Sequence, residues 1–115
     1  MSPGERVPPA GERRRIARPR ALLRGLFVFE QPAITVECTI RDLTQFGARV
    51  VVPPGVVVPR QGWLIDIRDG RAHDTSVVWR ASGLLGVSFG ETVNLRSLDL
   101  GRRRRLRQLW LACGG

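Results

Sequence analysis

The chain has 115 residues, a formal charge of +9 and nineteen arginines without a single lysine. That length holds one domain, and 43% hydrophobic with 25% charged residues is an ordinary globular composition. Missing residues exclude whole chemistries: without Lys there is no phosphate-loop lysine and no Schiff-base amine.

His73 is the one histidine, so there is no two-His metal site and little scope for acid–base relays. Cys38 and Cys113 form neither a Cys-x-x-Cys pattern nor a disulfide framework, and read as reduced thiols of a cytosolic protein. No apolar run approaches the ~18–20 residues that span a bilayer. Residues 1–20 also lack a signal-peptide apolar core, so a cytoplasmic location is expected. The charge is unevenly placed: residues 1–20 carry +4, residues 21–90 carry +1 and residues 91–115 carry +4. Any anion this protein meets is expected at the ends of the chain.

Residues 1–11 are rich in Pro and Gly without apolar periodicity and read as a disordered leader. Glu12 to Arg20 is a basic stretch in which Pro19 forbids a long helix. Short strand-like segments follow. Leu22–Phe29 and Ile34–Leu43 flank a Gln31-Pro32 turn, and in the second Ile34, Val36, Cys38 and Ile40 alternate with polar residues, the pattern of a half-buried strand. Ala48–Val52 is a β-branched run ended by Pro53-Pro54-Gly55. Trp63–Arg68 and Arg71–Trp79 straddle Asp69-Gly70, a strong hairpin signal, and Ser82-Gly83 turns the chain into Leu84–Phe89. Six strands with turns roughly every ten residues predict an all-β fold, an antiparallel barrel or sandwich. After Gly90 the spacing of Leu95, Leu98, Leu106, Leu109 and Trp110 predicts a basic amphipathic helix within residues 92–115, ended by Gly114-Gly115.

Minor features are assigned structural roles. His73 is expected at the surface, Cys38 in an inert core position, and Trp63 and Trp79 in packing between facing strands.

Two segments can carry chemistry. Five arginines lie within Arg13–Arg20, where the leader meets the first strand. A guanidinium presents a rigid fork of donors that matches phosphate oxygens or the O6/N7 edge of guanine. The second segment, Arg41 to Ala48, places Asp42, Thr44 and Gly47 in a connection between strands. There a carboxylate can accept from guanine N–H groups, while Thr and Gly suit a tight turn. Each segment also has a bland reading, a solvated charge run and an ordinary turn.

In this order the two segments resemble the PilZ family of bacterial cyclic di-GMP receptor domains. Arg14 and Arg18 match its Arg-x-x-x-Arg signature. Asp42, Thr44 and Gly47 match Asp/Asn-x-Ser-x-x-Gly, with Thr in place of Ser. Val77–Arg80 and Gly86-Val87-Ser88-Phe89 also look like the family, and the resemblance covers Glu12 to Glu91. It implies a six-stranded antiparallel β-barrel over residues 12–91 with an Arg-rich N-terminal arm, followed by the C-terminal helix. It also implies a ligand, cyclic di-GMP; with no nucleophile–base pair and no metal cluster in the sequence, no catalysis, metal or further cofactor is expected. Arg14 and Arg18 would hold phosphate and the guanine Hoogsteen edge. Asp42 would read the guanine amino side, Thr44 would add a hydroxyl contact, and Gly47 would admit close approach. Arg13 would engage a second guanine, so that two stacked ligands fit. A receptor of this kind signals through a protein partner acting in trans. The competing readings are a small basic barrel that binds nucleic acid, disfavoured by 6% aromatics and a nearly neutral middle, and a degenerate PilZ-like protein-interaction module.

Overall fold

The computed structural model describes residues 22–97 and 101–115. The leader and the arginines Arg13, Arg14 and Arg18 lie outside them. Six antiparallel strands form a closed barrel: β1 (Leu23–Glu30), β2 (Ala33–Leu43), β3 (Gly47–Val51), β4 (Gln61–Asp66), β5 (Arg71–Ala81) and β6 (Leu84–Asn94). Around the barrel they run β1-β2-β3-β6-β5-β4, and β4 closes on β1 through Gly25↔Asp66 to Val28↔Trp63. Closure leaves no unpaired edge. All six segments foreseen from the alternation are present. No helix among the described residues is long and apolar enough to cross a membrane.

Alternation sorts the apolar residues into two cores. Inside the barrel Phe27, Phe29, Ile40, Val50, Val52, Val58, Leu64, Leu85 and Val87 pack together, with the Phe27 and Phe29 rings stacked at 5.5 Å. On the outer wall Leu26, Val28, Ile65, Ile67 and Ala72 form a second core with Leu95, Leu106 and Trp110. This explains why β1 reads as an unbroken apolar run: both of its faces are covered.

The cover is a short helix, α1 (Arg104–Ala112), entered through a 3-10 turn at Gly101–Arg103. The expected helix is therefore shorter than the sequence periodicity suggested, because β6 continues past Gly90 to Asn94. The first turn of α1 holds no acid and no side-chain cap, which local propensity alone does not favour. Packing holds it instead. Leu106 and Trp110 are buried, and the Trp110 Nε1–H donates to the Ile67 carbonyl at 2.7 Å. Much of the C-terminal positive charge serves this docking. Arg103 lies 5.2 Å over the Trp63 ring and pairs with Glu91 at 2.7 Å. Arg96 lies 5.2 Å over Trp110 and donates to the Asp69 carbonyl. Arg107 donates to the Ser97 carbonyl at 3.2 Å, and Arg24, at the start of β1, to the Cys113 carbonyl at 3.3 Å.

Three sequence expectations change in detail. His73 is buried: its register partner is Leu64, which sets it on the inner face of β5. It stacks on Phe89 at 4.2 Å, with Nδ1 3.0 Å from the Thr92 hydroxyl. Burial pushes its pKa down, with Arg71 helping and Asp69 opposing. Trp63 and Trp79 do not meet: Trp63 stands opposite Asp74, whereas Trp79 stands opposite Gly86 on β6. The β4–β5 connection is a four-residue turn, because the Gly70 amide donates to the Asp66 carbonyl at 2.9 Å and the Asp69 amide to the Asp66 carboxylate at 3.2 Å. Cys38 packs against the interior as expected, and burial raises its thiol to about 12, which makes it a poor nucleophile.

Candidate functional site

Of the two segments singled out by sequence, the Asp42 turn lies within the described residues, at one end of the barrel. β1 begins where β2 ends, with Leu23 opposite Ile40, so the chain that follows the arginine-rich stretch enters two residues from Asp42. From Leu43, β2 turns through Thr44, Gln45 and Phe46 into β3, with Leu43 opposite Ala48.

Thr44 builds this turn. Its hydroxyl accepts from the Phe46 amide at 3.1 Å and the Gly47 amide at 3.2 Å, and donates to the Gly47 carbonyl at 3.3 Å. A hydroxyl has one proton and two lone pairs, so its capacity is committed to the backbone. The Thr44 amide closes the turn onto the Gly47 carbonyl at 2.9 Å. Gly47 has a packing reason to be glycine, since a Cβ there would collide with the Val87 carbonyl of β6. The hydroxyl contact and the close ligand approach that the resemblance implies thus have structural roles beside them.

Asp42 stands opposite Arg49 on the facing strand, across a register shift between Ile40 and Asp42. The Arg49 Nε and Nη2 both reach the same carboxylate oxygen, Oδ2. The Arg49 side chain is 51% exposed and that of Asp42 25%, so the pair is open to a ligand. Next to Arg49 on β6 stands Gly86, and the indole of Trp79 lies across it; a Cβ at Gly86 would run into the indole ring. The outer wall therefore reads Asp42, Arg49, then Trp79 across four neighbouring strands. Trp79 is 42% exposed and Phe46, at the tip of the turn, 74%. Asp42, Thr44, Phe46, Gly47, Ala48, Arg49 and Val87 line a shallow concavity of about 330 Å³.

Sequence reading missed Arg49, Phe46 and the outward placement of Trp79. Arg49 was within reach: a turn that pairs Leu43 with Ala48 also pairs Asp42 with Arg49. A larger concavity of about 640 Å³, bounded by Glu30, Arg60, Trp63 and Asp74, shares none of these residues. No group of three or more potential metal ligands occurs among the described residues. Comparison with protein-family models, with curated proteins and with solved structures finds no match to this chain.

What the face can do chemically follows from its groups. It offers a carboxylate that accepts, a guanidinium that donates, and exposed aromatic surface on which a flat ring can stack. Such a set suits recognition of a polar planar base.

Proposed function

We propose that this protein is a PilZ-like receptor that binds cyclic di-GMP on the outer face formed by Asp42, Arg49 and Trp79, and clamps it with Arg13, Arg14 and Arg18. The observation that carries the reading is the pairing of Leu23 with Ile40. It sets the start of β1, five residues after Arg18 in sequence, beside the strand that leads into the Asp42 turn, and so supports a shared site for two signatures separated by more than twenty residues. The ligand has two guanines and two phosphates, so it needs an anion clamp and a base-edge reader together. Arginine serves the first, and a carboxylate beside a stacking surface serves the second.

Charge-assisted hydrogen bonds are typically worth ~1.5–3 kcal/mol each. Three or four of them account for micromolar binding, about 8 kcal/mol, after the ordering of the arm is subtracted. Output is a population shift: arm and ligand together alter the surface that a partner protein meets in trans. Titration calorimetry with cyclic di-GMP on the purified chain tests this, with Arg14→Ala and Asp42→Ala as variants. Both substitutions are expected to abolish measurable binding while the barrel stays folded, and unchanged affinity in both refutes the site.

A further inference from the structure

We infer that Arg49 sets the base specificity of this face, by donating to O6 of the same guanine whose amino side Asp42 accepts; the inference rests on the cyclic di-GMP reading. Arg49 belongs to neither sequence signature. Its assignment comes from the geometry of the Asp42 ion pair.

Two strongly paired fork-shaped groups normally share two parallel hydrogen bonds, one to each carboxylate oxygen. Here Nε and Nη2 converge on Oδ2 alone. Among the described residues, Oδ1 of Asp42 has no hydrogen-bond partner, and both N–H groups of Arg49 Nη1 are unused. An exposed ion pair of this kind contributes little to folding. The turn beside it is already closed by Thr44, so the pair is not needed to hold the hairpin.

What the pair presents is an acceptor next to a donor. The Watson–Crick edge of guanine carries the matching order: amino N2–H and N1–H donors followed by the O6 acceptor. Adenine reverses it, with a donor at N6, an acceptor at N1 and no amino group at C2. Asp42 alone accepts any N–H, including that of adenine N6. Adding Arg49 penalises adenine, because its donors then face the N6 amino group instead of an oxygen. Register fixes the order of the two groups, since Asp42 and Arg49 are direct partners across β2 and β3. Trp79 on the far side of Arg49 bounds the same surface.

The test is calorimetry on the full chain with three ligands: cyclic di-GMP, cyclic di-IMP, which keeps O6 and N1–H but lacks the 2-amino group, and cyclic di-AMP. Arg49→Met keeps bulk and removes every donor, and Arg49→Lys keeps the charge without the fork. Arg49→Met is expected to weaken cyclic di-GMP and cyclic di-IMP alike, by about 10-fold or more, and to narrow the preference over cyclic di-AMP. Arg49→Lys should fall between Arg49→Met and the wild type. Circular dichroism confirms that each variant is folded. If the wild type binds cyclic di-GMP and Asp42→Ala abolishes it, while Arg49→Met keeps wild-type affinity and selectivity, this inference fails and the receptor reading stands. If the folded wild type binds none of the three, both fail.

Discussion

The Trp110 indole donates to the Ile67 carbonyl at 2.7 Å, which locks α1 onto the turn between β4 and β5. Trp110 is also a member of the outer core, with 6% exposure, so one residue supplies both apolar burial and a buried hydrogen bond. Trp110→Ala is expected to destabilise the fold by ~3–5 kcal/mol, the range for a large buried aromatic. Trp110→Phe keeps an aromatic side chain, though a smaller one, and orphans the Ile67 carbonyl, at about 1–3 kcal/mol. Urea denaturation gives both values. A Trp110→Ala loss below about 1 kcal/mol would mean that the helix is an ornament on the barrel.

The same contact bears on truncation. Removal of residues 101–115 strips the cover from Leu26, Val28 and Ile65, exposing contiguous apolar surface. The truncated chain is expected to aggregate or to lose thermal stability. A truncated barrel as soluble and stable as the full chain contradicts the packing role.

Gly47→Ala tests the closeness of β3 and β6. The added Cβ meets a backbone carbonyl, that of Val87, which cannot rotate aside as a flexible side chain would. A destabilisation of about 1–3 kcal/mol is expected, together with weakened ligand binding through the distorted turn. Wild-type stability in this variant would show that the strands separate at little cost.

Stability should also depend on pH through His73. Burial depresses its pKa below the usual 6.5, so the unfolded chain binds a proton more readily than the native barrel. The contribution of His73 is fully present above about 6.5 and is lost as pH falls through its lower folded value. Asp66 runs the other way. Desolvation raises its pKa above 3.8, so its contribution is present below that value and is lost as pH rises through the folded pKa. Chemical denaturation between pH 7 and 5 should show the His73 component as a decline in stability. His73→Gln should flatten that decline, and an unchanged slope refutes the assignment.

Much of this architecture is readable from residue order, for physical reasons. Ile34, Val36, Cys38 and Ile40 alternate because one face of β2 meets the interior, and Ser82-Gly83 marks its turn by residue type. What escaped was set by tertiary context. β1 shows no alternation because α1 covers its outer face, which only the folded chain reveals. His73 looked polar and exposed, yet register sends it inward against Phe89. Trp79 looked like core, yet a glycine at position 86 lets its ring lie on the outer wall. For the site, the spacing of Asp42, Thr44 and Gly47 was visible, but the engagement of Thr44 by the backbone was not. The turn alone pairs Asp42 with Arg49, but the register shift between Ile40 and Asp42, which no local propensity announces, sets Asp42 on the opposite face from Ile40.

The measurement that bears most directly on the central claim is a calorimetric titration of the purified full chain with cyclic di-GMP at physiological salt. Saturable, micromolar or tighter binding with two ligands per chain is expected, lost on Asp42→Ala and on Arg14→Ala. One ligand per chain at saturation removes the stacked pair and the role given to Arg13. An absence of heat with folded protein at high micromolar ligand contradicts the receptor reading itself.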